Sequence, residues 1–237
     1  MGNQRWPWMI GAAAVIAAAG FFALRRSAPE TPPPVAQTAP PPAKPPDAPL
    51  PPAEKSDAQV RKDLGSLSSR PEWAEWIAAT DLLDRFVVTV DNVALDVNPR
   101  KQLDFVKLAP QKSNRLETAR YDLIADVIAS VDAKGAAQVV RDLHPMLETA
   151  YHKLGYPDRT FDQVAAKALK RIVDAPVVES TPRLVSKGLV YAFADEKLEA
   201  LGQVEKLLLR MCPRNTRLIQ AKAKEIAAAL DLRIASH

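Results

Sequence analysis

The distribution of proline places the strongest constraint on what this chain can fold into. Twelve of the 21 prolines lie between Pro29 and Pro52, in clusters separated by small residues and single charges. Proline fixes φ and removes a backbone donor, so the segment favours neither a helix nor a sheet. It also has almost no large apolar side chains to offset the entropy lost on folding. We therefore predict a disordered linker over residues 25–55, extended as polyproline II.

An apolar segment without charges precedes this linker. Residues 6–24 read WPWMIGAAAVIAAAGFFAL and are followed by Arg25 and Arg26. A helix of this length is just long enough to cross the hydrocarbon core of a bilayer. A cleaved signal peptide is the alternative, since Ala17–Ala19 could form a cleavage site, but the apolar segment continues beyond it and stops at two arginines. We predict an uncleaved transmembrane helix after a short tail, residues 1–5.

The remainder of the chain has the hydrophobic period of α-helices. The clearest case is 81–97, where apolar residues recur on one face and aspartates occupy the other. Val88 and Leu95, a heptad apart on the polar side, suggest that both faces of this helix are covered. Thr160 and Gln163 have the spacing of a capping box.

Other signals set the ends of the helices. Ser56 and Asp57 are placed to cap the first helix. Pro145 predicts a break near residue 144. Residues 189–191 could form a short extended piece, and two closing helices are predicted around 196–211 and 213–232.

These patterns predict the fold class and the domain organisation. The fold class is all-α: one helical domain of about seven or eight helices over residues 56–232. One transmembrane helix and a disordered Pro-rich linker precede it, and a C-terminal tail, residues 233–237, follows it.

Several phrases of this domain occur in a familiar order. They are SDAQVRKDLGSLSSRPEWAEWI, DLLDRFVVTVDNVA, ARYDLIADVIASVDA, LHPMLETAYHKLGYPDRTFD and YAFADEKLEALGQVEKLLLRMCPRNTRLIQAKAKEI. The chain resembles a family of uncharacterised bacterial membrane-anchored proteins with an N-terminal transmembrane segment, a Pro-rich stalk and one helical domain of unknown function. That family has glycine where Cys212 stands and proline where Glu196 stands. The resemblance implies export to the cell envelope, and it implies no activity.

Charge does not settle the orientation in the membrane, because Arg5 on one side nearly balances Arg25 and Arg26 on the other. The resemblance and the extended linker favour a single-pass protein of the bacterial inner membrane with its C-terminal domain in the periplasm. The reverse orientation, with a cytoplasmic domain, stays open.

Composition and motifs argue against most kinds of chemistry. A formal net charge of +4 is no signature of nucleic-acid binding. One cysteine, Cys212, favours a buried thiol over a redox or metal centre. His144 and His152 lie eight residues apart with Pro145 between them, unlike zinc-protease ligands. We predict no catalytic residue, no metal site and no cofactor.

Two groups of residues are candidates for binding. Arg210, Arg214, Arg217 and Lys224 would form a basic stripe on one continuous helix, suited to lipid phosphates, an anionic glycan or an acidic partner. A helix break at Pro213 would weaken that arrangement, and an ordinary solvated face is the alternative. The aromatic residues Trp73, Trp76, Tyr121, Tyr151 and Tyr156 could line a groove for a peptide or sugar, or they could pack in the core.

The functional hypothesis follows from this organisation. A tether and a spacer raise the effective concentration of a domain for targets close to the membrane. We expect a membrane-anchored cell-envelope protein that presents a helical binding or scaffold domain on a Pro-rich stalk. Its expected partners are the membrane and an envelope protein or anionic polymer. An envelope enzyme acting on lipid or cell-wall material is the alternative.

Overall fold

The structure is a computed structural model that describes residues 53–108, 111, 113–188 and 190–234. Within these ranges the chain is mostly helical. The α-helices are α1 (Ala53–Leu64), α2 (Pro71–Ile77), α3 (Leu82–Ala94), α4 (Asp122–Ser130), α5 (Ala133–Asp142), α6 (His144–Lys153), α7 (Phe161–Asp174), α8 (Glu196–Glu199), α9 (Gln203–Leu209) and α10 (Cys212–Ala229). Two 3-10 helices, Pro99–Lys101 and Thr118–Tyr121, lie between α3 and α4. Strands β1 (Leu184–Lys187) and β2 (Val190–Phe193) lie between α7 and α8.

The predicted transmembrane helix, residues 6–24, lies outside the described residues, as does most of the predicted linker. The described chain begins in α1 at Ala53, three residues before the predicted start of the domain. None of the helices in the described ranges is both long enough and apolar enough to cross a membrane.

Helix α10, the longest described helix, lies at the centre of the helix packing. It packs against α4, α5 and α7. The side-chain amide of Gln220 donates to the carbonyl oxygens of Ile172, Val173 and Ala175, at 3.1, 3.2 and 2.7 Å. These carbonyls lie at the C-terminal end of α7, where a helix has no backbone partners for them. One buried amide therefore ties the end of α7 to the middle of α10.

Local signals set the first turns of several helices. Pro71, Pro145 and Pro213 lie in the first turns of α2, α6 and α10, where a missing N–H costs little. The break predicted near residue 144 is confirmed, because α5 ends and α6 begins there. The predicted capping box is also confirmed, since Thr160 and Gln163 bond reciprocally at the start of α7.

The predicted role of Asp57 is wrong. Its carboxylate is 9% exposed and accepts hydrogen bonds from the backbone N–H groups of Asp81, at 2.7 Å, and Leu82, at 2.8 Å. Asp57 therefore caps α3 from a neighbouring helix instead of capping its own. Asp81 has a left-handed backbone, φ 56°, and its side chain forms no cap. The external carboxylate supplies the acceptor that Asp81 does not.

Strands β1 and β2 form an antiparallel hairpin. Leu184 lies opposite Phe193, and Lys187 lies opposite Val190. Gly188 lies in the turn with φ +64°, a conformation that costs a residue with a Cβ more than it costs glycine. Buried side chains around the hairpin form a small core separate from the main one: Leu116, Leu184, Phe193 and Leu209.

The predicted helical fold class is confirmed in its coarser form, since the described residues are mostly helical, and they also form one two-stranded sheet. The extended piece predicted at residues 189–191 overlaps β2, but its partner strand β1 was not predicted. The helix predicted over 196–211 is divided into α8 and α9. This division and the break near residue 144 account for the ten α-helices among the described residues, where seven or eight were expected.

A network of charges joins the end of α3 to the start of α9. Asp96 Oδ1 accepts a hydrogen bond from the backbone N–H of Val204 at 3.0 Å. The guanidinium of Arg171 lies 3.4 Å from Asp96 Oδ1 and 3.0 Å from Glu205 Oε1. Burial raises the pKa of Asp96, but these backbone and guanidinium contacts outweigh it and lower the pKa. A Cβ on Gly202 would overlap an oxygen of each carboxylate, so a larger residue there would have to displace these side chains.

Candidate functional site

A small cleft opens between α3 and α6, with a volume of about 230 Å³. Six residues line it: Asp84, Val87 and Val88 from α3, and Ala150, Lys153 and Leu154 from α6 and its C-terminal end. Val87 is 1% exposed, whereas Leu154 is 39% exposed. We call this the α3–α6 cleft. Four apolar side chains form its walls, so it suits an apolar group presented from outside.

Opposite charges stand on the two sides of the α3–α6 cleft. Asp84 projects from α3 and Lys153 from α6, and both side chains are exposed. They form no ion pair with each other or with any other residue in the described ranges at a separation of 4 Å or less. Within the described part of the chain, both charges are therefore without an ion-pair partner.

The apolar face of α3 extends beyond the cleft. Val88 is half-buried, and Leu95, two turns further along the same face, is 43% exposed. The prediction that both faces of this helix are covered is therefore wrong at Leu95. Helix α6 covers the first half of this face and leaves the last turn open.

Asp91 lies on α3 and is buried, with residues of α7 and of the α6–α7 connection close to its carboxylate. The aspartates of this helix were expected to form a solvated face, and that expectation is wrong for Asp91, which is 8% exposed. Burial raises the pKa of Asp91, and the charges of Arg159 and Lys167 and the hydroxyl of Tyr156 offset only part of the rise. A carboxylate with a raised pKa is a candidate functional group. Helical periodicity missed it because α7 and the α6–α7 connection supply the cover.

Two of the predicted aromatic residues surround Asp91. The rings of Tyr151 and Tyr156 stack with centroids 5.2 Å apart, and the guanidinium of Arg159 lies 5.2 Å above the Tyr156 ring. Burial and the nearby charge of Asp91 raise the pKa of Tyr151, while Arg159 acts in the opposite sense. Tyr151 is only 1% exposed, so Tyr156 and Arg159 form the outer part of this cluster.

The other three predicted aromatic residues lie elsewhere. The indole N–H of Trp73 donates to the carbonyl oxygen of Leu64 at 2.9 Å, and its ring packs against the main core. Trp76 is half-buried on the same helix, α2. Tyr121 is buried at the start of α4 beneath the guanidinium of Arg120, which lies 5.2 Å from the ring centroid. The five aromatic residues therefore do not line one groove.

The predicted basic stripe is divided between two helices. Arg210 lies at the C-terminal end of α9, where its Nη2 donates to the carbonyl oxygen of Tyr191 at 3.1 Å. Helix α10, which has Pro213 in its first turn, carries the other three residues: Arg214, Arg217 and Lys224. The single continuous helix that the stripe required is therefore absent.

The three α10 residues differ in their contacts. Arg214 pairs with Asp126 at 2.6 Å, and Arg217 pairs with Glu179. Lys224 is exposed, and no ion pair to it occurs in the described part of the chain. Of these three residues, Lys224 is therefore the one that can bind an external anion without breaking an ion pair among the described residues.

A wider groove lies between α5 and α10, with a volume of about 800 Å³. Three alanines, three basic residues and two acidic residues are among those that line it; the lining residues are Asp132, Ala133, Lys134, Gln138, Arg141, Lys222, Glu225, Ala228 and Ala229. We call this the α5–α10 groove. It was not predicted, because its two helices are about ninety residues apart in sequence.

The acidic groups of the α5–α10 groove are already engaged. Asp132 caps α5, accepting from the backbone N–H groups of Lys134 at 3.2 Å and Gly135 at 3.0 Å. Glu225 pairs with Lys222 at 2.5 Å. Lys134 is exposed and has no ion pair among the described residues. Lys222 is engaged by Glu225, and Arg141 donates to the carbonyl oxygen of Ala229, so Lys134 is the cation of the groove that an incoming anionic group would meet without an internal partner among the described residues.

The two histidines flank one glutamate on α6. His144 Nε2 lies 3.6 Å from Glu148 Oε1 and 3.3 Å from Asp162 Oδ1, and His152 Nε2 lies 3.6 Å from Glu148 Oε2. Pro145 does not separate them, because α6 begins at His144. No group of three or more potential ligands in the described ranges is arranged to hold a metal ion.

Cys212 has a half-buried side chain and a left-handed backbone, φ 75°. It is the first residue of α10, so the strained conformation marks the junction between α9 and α10. Glycine adopts this conformation without a steric penalty.

Comparison with known proteins places the chain in a family. The curated proteins and the solved structures gave no match. The family model described as "Protein of unknown function (DUF3014)" matches residues 82–227, from the first residue of α3 to the last turns of α10. This span is more than half of the chain and contains the α3–α6 cleft, the Asp91 cluster and nearly all of the α5–α10 groove. The chain therefore belongs to the DUF3014 family of proteins of unknown function.

Proposed function

We propose that the chain is a single-pass protein of the bacterial inner membrane that presents its helical domain to the periplasm and binds another envelope component there. The apolar segment at residues 6–24 and the Pro-rich stalk support this deployment. The resemblance described above supports the envelope location. The proposed role is that of a binding or scaffold domain without catalysis.

The α5–α10 groove is the observation that carries the binding role. The groove, of about 800 Å³, is lined by Lys134, Arg141 and Lys222 together with small alanine side chains. Small side chains allow a peptide backbone to lie close to the helices, and cations attract carboxylates. We therefore propose that the groove takes an acidic segment of another envelope protein.

In-cell crosslinking tests this role on the full-length chain. A photo-reactive residue at Gln138, in the groove, is expected to crosslink one defined envelope protein, whereas one at Lys187, in the hairpin, is the matched control. The Lys134→Glu substitution should reduce the Gln138 crosslink about tenfold, because it places a carboxylate where the partner's carboxylate binds. Equal labelling from both positions, or recovery of abundant bystanders alone, would remove the groove as the binding surface.

A second substitution separates the groove from the predicted basic stripe. Lys224 is an exposed lysine like Lys134, but it lies on α10 and does not line the groove. Lys224→Glu should leave the Gln138 crosslink unchanged. If Lys224→Glu abolishes the crosslink and Lys134→Glu does not, the basic stripe is the site. A crosslinked product that contains polymer and no protein would show an anionic polymer to be the ligand.

The proposed orientation has its own test. Two reporter fusions after residue 237 are sufficient, one active only outside the cytoplasm and one active only within it. We expect activity from the first alone. Activity from the second alone would place the domain in the cytoplasm.

The enzyme alternative rests on Asp91. Its raised pKa and its contacts with Tyr156 and Arg159 are the features of a candidate acid or base. An envelope enzyme acting on lipid or cell-wall material would lose its turnover with Asp91→Asn and keep it with Asp84→Asn. Incubation of the purified full-length protein with lipid and cell-wall extracts, with products followed by mass spectrometry, provides the assay.

A further inference from the structure

The α3–α6 cleft is bounded by one acid and one base that no other described residue pairs. Asp84 stands on α3 and Lys153 stands on α6, with Val88 and Leu154 between them. Neither charge has an ion pair among the described residues, although both line the same cleft. An intramolecular pair would close the cleft, so its absence leaves an open apolar surface with a charge on each side.

We propose that this cleft is the interface through which two copies of the chain associate. A two-fold axis places the same patch on both sides of an interface, so a residue on one side meets a different residue on the other. An axis through the cleft sets Asp84 of one copy against Lys153 of the second copy, and the reverse pair forms at the same time. The patch is therefore complementary to itself in charge.

The apolar residues fit the same arrangement. Leu154 is 39% exposed and Leu95 is 43% exposed, on either side of half-buried Val88. Association would bury all three, and burial of apolar area favours association. An unrelated partner would need a carboxylate and a basic group with the same spacing. A second copy of the chain already has both.

The size of the patch sets the expected strength. Six residues line the cleft, which corresponds to a small interface of the transient class. Two copies anchored in one membrane meet at a higher effective concentration than two free copies. This inference is independent of the α5–α10 groove, which lies on other helices, so either proposal can fail without the other.

Charge exchange between two variants tests the interface. Full-length chains with two different affinity tags are reconstituted together into lipid vesicles and crosslinked there before detergent is added, and co-purification of one tag with the other is measured. Asp84→Lys alone sets lysine against lysine at both contacts, and Lys153→Asp alone sets aspartate against aspartate. Each variant should lose self-association more than about tenfold. A mixture of the two variants pairs opposite charges at both contacts and should restore it.

Two further variants check specificity. Val88→Arg, in the wall of the cleft, should abolish co-purification in every mixture, while Lys187→Asp in the hairpin should have no effect. Circular dichroism confirms that each variant is helical. The proposal is overturned if wild-type copies do not co-purify, if all variants co-purify equally, or if the Asp84→Lys and Lys153→Asp mixture is no better than either variant alone. Crosslinking of the cleft to a different protein would give it another occupant and would also overturn it.

Discussion

The carboxylate of Asp57, on α1, accepts a hydrogen bond from the backbone N–H of Leu82, the first residue of α3, at 2.8 Å. A second bond, from Asp81 at 2.7 Å, completes the cap. The cap is buried and links two segments 25 residues apart. Helix α3 forms the walls of the α3–α6 cleft and carries Asp91, so Asp57 fixes the position of the helix on which both depend.

Removal of this cap should destabilise the protein. We expect Asp57→Ala to lower the free energy of unfolding by about 1–2 kcal/mol, since two backbone donors lose their acceptor. Asp57→Asn keeps one oxygen acceptor and should cost less. Asp63→Ala, on the same helix, removes only a contact with Gln59 and is the control. Urea unfolding followed by circular dichroism measures all three; equal losses for Asp57→Ala and Asp63→Ala would contradict the cap.

The backbone of Cys212 predicts a stabilising substitution. Its φ of 75° lies in the left-handed region, where a residue with a Cβ pays roughly 1–2 kcal/mol. Cys212→Gly removes that cost, although glycine gives back about 0.5–1 kcal/mol through the unfolded state. A net gain of a few tenths to about 1 kcal/mol is therefore expected. Cys212→Ala is the control, because it keeps the Cβ and loses the thiol. Thermal unfolding measures both variants. If Cys212→Ala is as stable as Cys212→Gly, the backbone conformation is not the cause.

Glu196 is the first residue of α8, a position that favours proline. Asp195 before it has an extended backbone, φ −80° and ψ 118°, which a following proline tolerates. Glu196→Pro should therefore raise the free energy of unfolding by about 0.4–1 kcal/mol. Lys197→Pro is the matched comparison, since the N–H of Lys197 donates to Asp195 at 2.8 Å. That variant should be destabilised; a loss of stability in both would disprove the assignment of Glu196 to the first helical position.

The carboxylate of Glu199 links stability to pH. Its hydrogen bond from the backbone N–H of Phe193, at 2.8 Å, lowers its pKa against the opposing effect of burial, and Lys206 and Arg210 lower it further. A lowered pKa stabilises the folded state above the ordinary value of 4.5, and this stability is lost as pH falls through the folded value. Glu199→Gln should be less stable than wild type at neutral pH, and the difference should shrink below about pH 4.5. A difference that stays constant from neutral to acid pH would contradict the linkage.

The sequence predicts features that depend on neighbours within one helical turn. The capping pair Thr160 and Gln163 and the break at Pro145 are local in this sense, and both are confirmed. The role of Asp57 could not be predicted, because its partners are 24 and 25 residues away. The burial of Asp91 depends on α7 and the connection before it, which helical periodicity within α3 does not contain.

The candidate surfaces were harder to predict than the helices. Each surface is shared by two helices that are distant in sequence, so no single segment contains its pattern. The basic stripe assumed an unbroken helix across Cys212, whereas its residues are divided between α9 and α10. Val88 and Leu95 were the one indication in the sequence of the α3–α6 cleft, since apolar residues on the polar face of a helix indicate a contact there. They do not say with what.

The position of α10 affects the order in which the domain can fold. It follows α4, α5 and α7 in sequence and packs against all three. Helix α7 can already pack against α3 before α10 is synthesised. The faces of α4, α5 and α7 that α10 covers have nothing to pack against while a ribosome is still synthesising the chain. They stay exposed until almost all of the matched family region has been made. Nascent chains that stop before α10 should therefore bind chaperones and be degraded, because the central helix arrives last.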